Sequence, residues 1–320
     1  MKIFITGGTG SLGSRIVQYL YDVKDVDNNL HQFVIFSRDE QKQYAMGLNY
    51  PDESRVKFIL GDVRDQTGIM DAIVFSQPDI VIHTAAQKHV KISEHNPMQC
   101  TLTNIHGTKH VVRACLEACV PVACFVSTDK TVEPTTLYGM TKHIAERIWE
   151  NASKRQGGTK FTGVRYGNII NSVGSLLPLY CKIANTPNPV FPVTHPDMTR
   201  FFLTFDQAIE LIIQAINDVM PGIISVPINA PAIHCIDKLV FRIPEVQSLL
   251  ILDIAELFAE RTGGKVDIIG PFESEKIHES MVSGYSSKDH VMSRKQTEEF
   301  LDNEGLLPKY PRYTPTLLYE

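Results

Sequence analysis

The first residues set a pattern that recurs along the chain. Lys2-Ile3-Phe4-Ile5-Thr6 is an apolar run too short for a stable helix, a glycine-rich turn follows, and Ile16, Val17 and Leu20 then repeat at helical spacing. The same change of period returns at Phe33-Val34-Ile35-Phe36, and at Val56-Lys57-Phe58-Ile59-Leu60 before a helix from about Gln66. It returns again at Ile80-Val81-Ile82-His83 before a helix from about Pro97 through Cys119, and at Ala123-Cys124-Phe125-Val126-Ser127 before a helix from Tyr138 to Ser153. Strands that are apolar on both faces and joined by helices predict an α/β fold, a Rossmann-like doubly wound parallel sheet. In such a sheet ligands gather at the C-terminal ends of the strands.

After Thr162-Gly163-Val164-Arg165 the pattern breaks. Prolines at 178, 187, 189, 192 and 196 suit a lid or substrate-binding region better than further layered sheet. Asp206 to Val219 reads as a helix and Ile223-Ile224-Ser225-Val226 as one more strand. The expected division is therefore a dinucleotide-binding domain over 1–166 plus about 204–227, and a smaller C-terminal substrate-binding region over about 167–203 and 228–320. No internal repeat or low-complexity tract appears.

Composition narrows the class. With 320 residues, 43% of them hydrophobic, the chain can bury a large core. A net charge of −5 leaves no basic footprint for nucleic acid. No apolar run long enough to span a membrane and no signal-like start is present, so a soluble, cytoplasmic protein is expected. The six cysteines show neither CxxC spacing nor a dense framework and are expected to pack. His106 and His110 have ligand spacing without a nearby third ligand, so no metal site is expected.

The strand ends carry the candidate chemistry. Gly7, Thr9, Gly10, Ser11, Leu12 and Gly13 lie between a strand and a helix start, the arrangement that lets a pyrophosphate approach backbone N–H groups. After the second strand, Ser37 and Arg38 favour the 2′-phosphate of NADP over NAD, while Asp39 either accepts from a ribose or caps a helix. Asp62 and Val63 follow the third strand, where they meet an adenine, with a helix cap as the other reading of Asp62. Ala85 and Ala86 after the fourth leave room for a nicotinamide ribose, and Lys88 is assigned to both cofactor and substrate.

Ser127-Thr128-Asp129-Lys130 ends the fifth strand. Tyr138 and Lys142, four positions apart, share one helix face, so the ammonium is expected to lower the phenol pKa and make it a usable base.

These pieces, with Arg165-Tyr-Gly-Asn168, Met198-Thr-Arg-Phe-Phe202 and Glu275-Lys-Ile-His-Glu279, resemble extended short-chain dehydrogenase/reductases that modify nucleotide sugars. They are most similar to the soluble inverting UDP-N-acetylglucosamine 4,6-dehydratases of pseudaminic acid biosynthesis, over most of the chain to about residue 282. The resemblance implies that Tyr138 takes the 4-hydroxyl proton, Thr128 holds the 4-oxygen, Lys130 removes the C5 proton and Asp129 protonates the departing 6-hydroxyl. It further implies substrate contacts at Asn168, Arg200 and Glu279, a nucleotide-sugar substrate, and a homo-oligomer, dimer or hexamer.

Three departures stand against it. Phe272-Glu273-Ser274-Glu275-Lys276 lacks an Arg usual before this stretch, Val173 replaces another, and Ile228 to Phe241 reads as an insertion, an added hairpin or an oligomer contact. The tail from Leu307, with prolines at 308, 311 and 315, is expected to lie extended on the surface. A UDP-sugar 4-epimerase would keep Tyr138 and Lys142 without needing Asp129 and Lys130, and a dehydratase/epimerase of a related nucleotide sugar would share the Asp-Lys pair. A non-catalytic NADP-binding protein would have no need of Tyr138 and Lys142.

Overall fold

The structure is a computed structural model and describes residues 1–25, 27–155, 157–224, 235–238 and 240–309. It divides into two compact units, Met1–Tyr166 with Phe205–Glu245, and Gly167–Thr204 with Val246–Glu320.

The first unit holds the parallel sheet. Its strands are β1 (Lys2–Thr6), β2 (Gln32–Ser37), β3 (Val56–Leu60), β4 (Ile80–His83), β5 (Val122–Thr128) and β6 (Lys160–Tyr166). The spatial order is β3-β2-β1-β4-β5-β6, then the strand Phe241–Pro244, parallel to β6, and the antiparallel edge strand Cys235–Lys238. Order reverses between β1 and β4, the switch point where a doubly wound sheet opens a ligand crevice. Ile3, Phe4, Ile5, Ile35 and Phe125 are all fully buried, which is why these strands read as continuous apolar runs.

Helices follow in the expected alternation: α1 (Ser11–Leu20), α2 (Glu40–Gly47), α3 (Gln66–Ser76), α4 (Val90–His95), α5 (Pro97–Thr101), α6 (Gly107–Glu117) and α7 (Leu137–Ser153). The rod expected from Pro97 through Cys119 is not one regular helix. A π-helical turn, Leu102–His106, joins α5 to α6, and Cys119 lies beyond the helix end at φ +50°. The helix predicted over Asp206 to Val219 spans Phe205–Val219. Ile223 and Ile224 lie outside any strand, and Ser225 and Val226 fall outside the described residues.

The insertion is a hairpin where it is described. Cys235–Lys238 pairs antiparallel with Phe241–Pro244, which extends the first sheet, so this part of 228–245 belongs with the first unit and not with the second. Residues 228–234 lie outside the described residues.

The second unit carries regular sheet where loops were expected. Asn168–Ile169, Thr199–Leu203 and Ser248–Leu250 form a three-stranded sheet, and Val190–Val193 pairs with Lys265–Ile268. Pro178 lies in the first turn of the helix Leu176–Ala184 and Pro192 in the two-stranded sheet, places where a missing N–H costs little. Tyr180, Phe191 and Phe258 form the aromatic centre of its core, with ring centroids 5.3 to 5.7 Å apart. Leu306 and Leu307 are buried in that core, so the surface tail does not begin at Leu307; residues 310–320 lie outside the described residues.

Candidate active site

The turn after β1 is built to admit a phosphate group. Gly7 holds φ +66°, and a Cβ there would lie 2.9 Å from the Ala85 Cα; at Gly13 a Cβ would lie 2.6 Å from the Gly8 Cα. Helix α1 starts after Gly10 with no side-chain cap, so Ser11, Leu12 and Gly13 form its first turn with Thr9 just before it. These features fit a dinucleotide.

The residues after β2 and β3 interlock. Asp39 caps α2 through the Lys42 amide, the helix-cap reading of that residue. Ser37 is buried, and its Oγ accepts from Gln43 Nε2 at 3.0 Å. Asp62 takes Arg64 at 2.6 Å and Arg38 at 3.9 Å, while α3 is capped by Asp65, so Asp62 is not the helix cap. Arg38 remains 65% exposed at its side chain, next to the acid that the sequence assigned to the adenine. Val63 is buried, and its carbonyl lies 3.0 Å from His110 Nδ1, which gives that histidine a structural partner. Lys88 is exposed, yet desolvation lowers its pKa.

Beyond β5, Asp129, Lys130 and Thr131 make a single 3-10 turn. Thr128 Oγ1 donates to Asp129 Oδ1 at 2.9 Å, and Lys130 Nζ donates to the same oxygen at 3.1 Å. Asp129 is fully buried, and its Oδ2 has no hydrogen-bond partner among the described residues. A buried carboxylate oxygen left in this state is costly unless a ligand group completes it.

Tyr138 stands in the first turn of α7, which Thr136 caps. Gly139 lets this turn lie against the preceding loop, because a Cβ there would collide with the Lys130 carbonyl oxygen. Tyr138 shares a side-chain hydrogen bond with Thr128, and burial and then the charge of Asp129 push the phenol pKa up. The lowering expected from Lys142 is absent. Lys142 Nζ donates instead to the Val126 carbonyl at 2.7 Å and lies 3.8 Å from the centroid of the Phe125 ring. Burial brings its pKa down to about 7.

Two networks absent from the sequence reading hold this cluster. Thr6 Oγ1 lies 2.7 Å from His83 Nδ1, and His83 Nε2 lies 3.1 Å from Thr108 Oγ1. Thr108 donates to the Asn104 carbonyl, so His83 Nε2 is the donor to Thr108 and Nδ1 accepts from Thr6. Asn104 Nδ2 then donates to Thr141 Oγ1 at 3.0 Å, and Thr141 donates to the Tyr138 carbonyl. The chain of bonds runs from the phosphate turn to the tyrosine helix, and burial keeps His83 neutral with a pKa of about 3. The second network centres on Glu146, which pairs with Arg165 at 2.6 Å. Its signal was present in the sequence as the spacing Tyr138, Lys142, Glu146 along one helix face.

In the second unit, Arg200 and Glu279 share a neighbourhood. The Arg200 guanidinium donates to the carbonyls of Thr199, Ile277 and Lys276 and lies 3.6 Å from Glu275. These bonds tie it to the 275–279 loop. Glu279 is buried 3.5 Å from Lys276, and its backbone amide donates to Ser287 Oγ. Asn168 starts the short strand that pairs with Thr199–Leu203. Phe272 and Val173, at the two departures, are exposed.

No helix among the described residues is long and apolar enough to cross a membrane. The sequence is 34% identical to a UDP-N-acetylglucosamine 4,6-dehydratase (inverting) of Campylobacter jejuni over 288 residues, 89% of this chain and 78% of that protein. It is 32% identical over 285 residues to a protein of Rickettsia felis named UDP-glucose 4-epimerase, covering 88% of this chain and 77% of the other. The fold matches the X-ray structure of Pen from Bacillus thuringiensis with a TM-score of 0.80 at 27% identity, over 94% of this chain and 98% of that one. The family pattern extends over residues 3–299, past residue 282 where the resemblance in the sequence faded. With its Rossmann-like sheet and the match over nearly its whole length, the chain belongs to the polysaccharide biosynthesis protein family.

Proposed function

We propose that this protein is a C5-inverting UDP-N-acetylglucosamine 4,6-dehydratase that uses NADP. The observation that carries the reading is the Lys130–Asp129 contact of 3.1 Å beside a buried Asp129 oxygen with no partner. When the Lys130 ammonium passes its proton to Asp129 along this contact, a neutral amine and a carboxylic acid stand on adjacent residues close to a tyrosine, the base and the acid that elimination of water demands and that simple epimerisation does not. The 34% identity to the Campylobacter protein supports the same reading.

A bound nicotinamide dinucleotide supplies a hydride acceptor for C4 and a hydride donor for C6, with no net redox change. The glycine turn and α1 would hold its pyrophosphate, and Ser37 and Arg38 its adenosine end. Tyr138 accepts the 4-hydroxyl proton, with Thr128 holding the 4-oxygen. The resulting 4-keto sugar has an acidic C5 proton, and Lys130 removes it. Asp129 protonates the 6-hydroxyl as water leaves, and C5 is reprotonated from the opposite face. Lys142, with a pKa of about 7, can carry a proton or release it near neutral pH, and a positive charge beside Tyr138 would bring the phenol down into a usable range. Asn168, Arg200 and Glu279 are proposed for the nucleotide-sugar side, Arg200 through the loop that carries Glu279.

The identity to the Rickettsia protein named UDP-glucose 4-epimerase supports a second reading, a 4-epimerase. The test is incubation of purified protein with UDP-N-acetylglucosamine in heavy water without added reductant, followed by mass spectrometry and NMR. Loss of one water with deuterium at an inverted C5 supports the dehydratase. A sugar of unchanged mass with inverted C4 supports the epimerase and removes the dehydratase reading.

A further inference from the structure

We propose that Glu146 is a positioning residue that clamps the Asp129–Lys130 turn to the Tyr138–Lys142 helix. This rests on the reading of those four residues as the reacting groups. The argument starts from what one carboxylate holds. Glu146 Oε1 accepts from Ser127 Oγ at 2.6 Å and from Arg165 Nε at 2.9 Å, and Oε2 accepts from Arg165 Nη2 at 2.6 Å, while the one Thr131 hydroxyl hydrogen is shared between the Thr128 carbonyl at 2.8 Å and Glu146 Oε1 at 3.1 Å.

Ser127 precedes the turn and Thr131 ends it, so both sides of Asp129-Lys130 are tied to a single group on α7, one helical turn beyond Lys142. Arg165 pairs with Ser127 in the β5–β6 register and completes the clamp from the neighbouring strand. Every partner is at most 3% exposed, and a bidentate ion pair in such surroundings resists rearrangement. A merely structural ion pair would need only Arg165; the two hydroxyl bonds bracketing the reacting residues are what point to positioning.

The clamp also bears on Lys142. The charged and titratable groups that act on it are Glu146 on its own helix and His83 at the end of β4. Of these Glu146 favours the ammonium, and His83 is neutral.

The test uses the full-length protein without substrate first. In 13C-lysine-labelled protein the Lys142 signal is identified by its loss in Lys142→Met, and its titration midpoint is followed by NMR. In Glu146→Gln the midpoint is expected to fall by about one pH unit, a tenfold change in proton affinity. An unchanged midpoint in a folded Glu146→Gln protein overturns the proposal.

Because that variant strands the Arg165 charge and could unfold, Ser127→Ala and Thr131→Val, which keep the ion pair, are measured beside it; Thr131→Val also removes the bond to the Thr128 carbonyl, so Ser127→Ala is the cleaner of the two. Both are expected to speed amide exchange across 127–131 at an unchanged melting temperature and to lower kcat by about 10- to 100-fold with KM unaltered. Wild-type exchange across 127–131 in both variants overturns the clamp. Should the wild-type protein not convert UDP-N-acetylglucosamine, the proposed function fails, while the midpoint and the exchange rates still decide the clamp.

Discussion

Lys130 Nζ and Asp129 Oδ1 are 3.1 Å apart, and the same carboxylate keeps its other oxygen buried and without a partner. The pair is thus oriented through one oxygen and available through the other. Replacing Lys130 by Ala removes the proposed C5 base and should lower turnover by about 10²- to 10⁴-fold. Stopped-flow absorbance should still show reduction of the nicotinamide at C4, with no deuterium entering C5. Near wild-type turnover in Lys130→Ala would remove this role.

Gly139 is the point where α7 lies against the Lys130 carbonyl. Gly139→Ala should displace Tyr138 relative to the turn, costing about 1–3 kcal/mol of stability by overpacking and about 10- to 100-fold in kcat. Urea denaturation and steady-state kinetics measure the two effects. A variant with wild-type values in both would show that the contact can relax freely.

Arg38 is exposed and only loosely engaged by Asp62 at 3.9 Å. If it takes the 2′-phosphate, Arg38→Ala should weaken NADP binding by roughly 10- to 100-fold, the value of a charge-assisted bond, and leave NAD binding unchanged. Calorimetric titration with both dinucleotides checks this; equal losses for the two would assign Arg38 elsewhere.

His31 is fully buried with neither ring nitrogen hydrogen-bonded among the described residues, and burial brings its pKa from 6.5 to about 4. The unfolded chain therefore binds a proton that the folded chain refuses between these values, so stability falls as the pH drops from 6.5 to about 4. His31→Leu should flatten this part of the acid limb, leaving the contribution of His83, whose pKa of about 3 extends its window lower. Urea midpoints at pH 7 and pH 4.5 for both proteins provide the measurement, and parallel curves would show that His31 does not contribute.

Much of the first unit was legible in the chain. The runs at Ile3, Phe33, Ile80 and Cys124 became strands because a strand buried on both faces requires unbroken apolar residues. The glycine turn and the Tyr138–Lys142 spacing were equally local, since helix geometry alone puts positions four apart on one face. The second unit was harder, because the short strands near Val190 and Thr199 are defined by partners distant in sequence, and prolines masked them.

The sequence by itself determined the period of each element and the identity of the groups that could react. Tertiary structure decided their state. The helical spacing put Lys142 beside Tyr138, but packing turned its ammonium to the Val126 carbonyl and brought its pKa to about 7. The chain alone carries no sign that the Arg200 guanidinium donates to three backbone carbonyls. Glu146 lies one helical turn past Lys142, and folding brought Ser127, Thr131 and Arg165 to it from β5, the turn after it and β6. Burial and hydrogen bonding depend on which distant segments meet, and no local pattern carries that information.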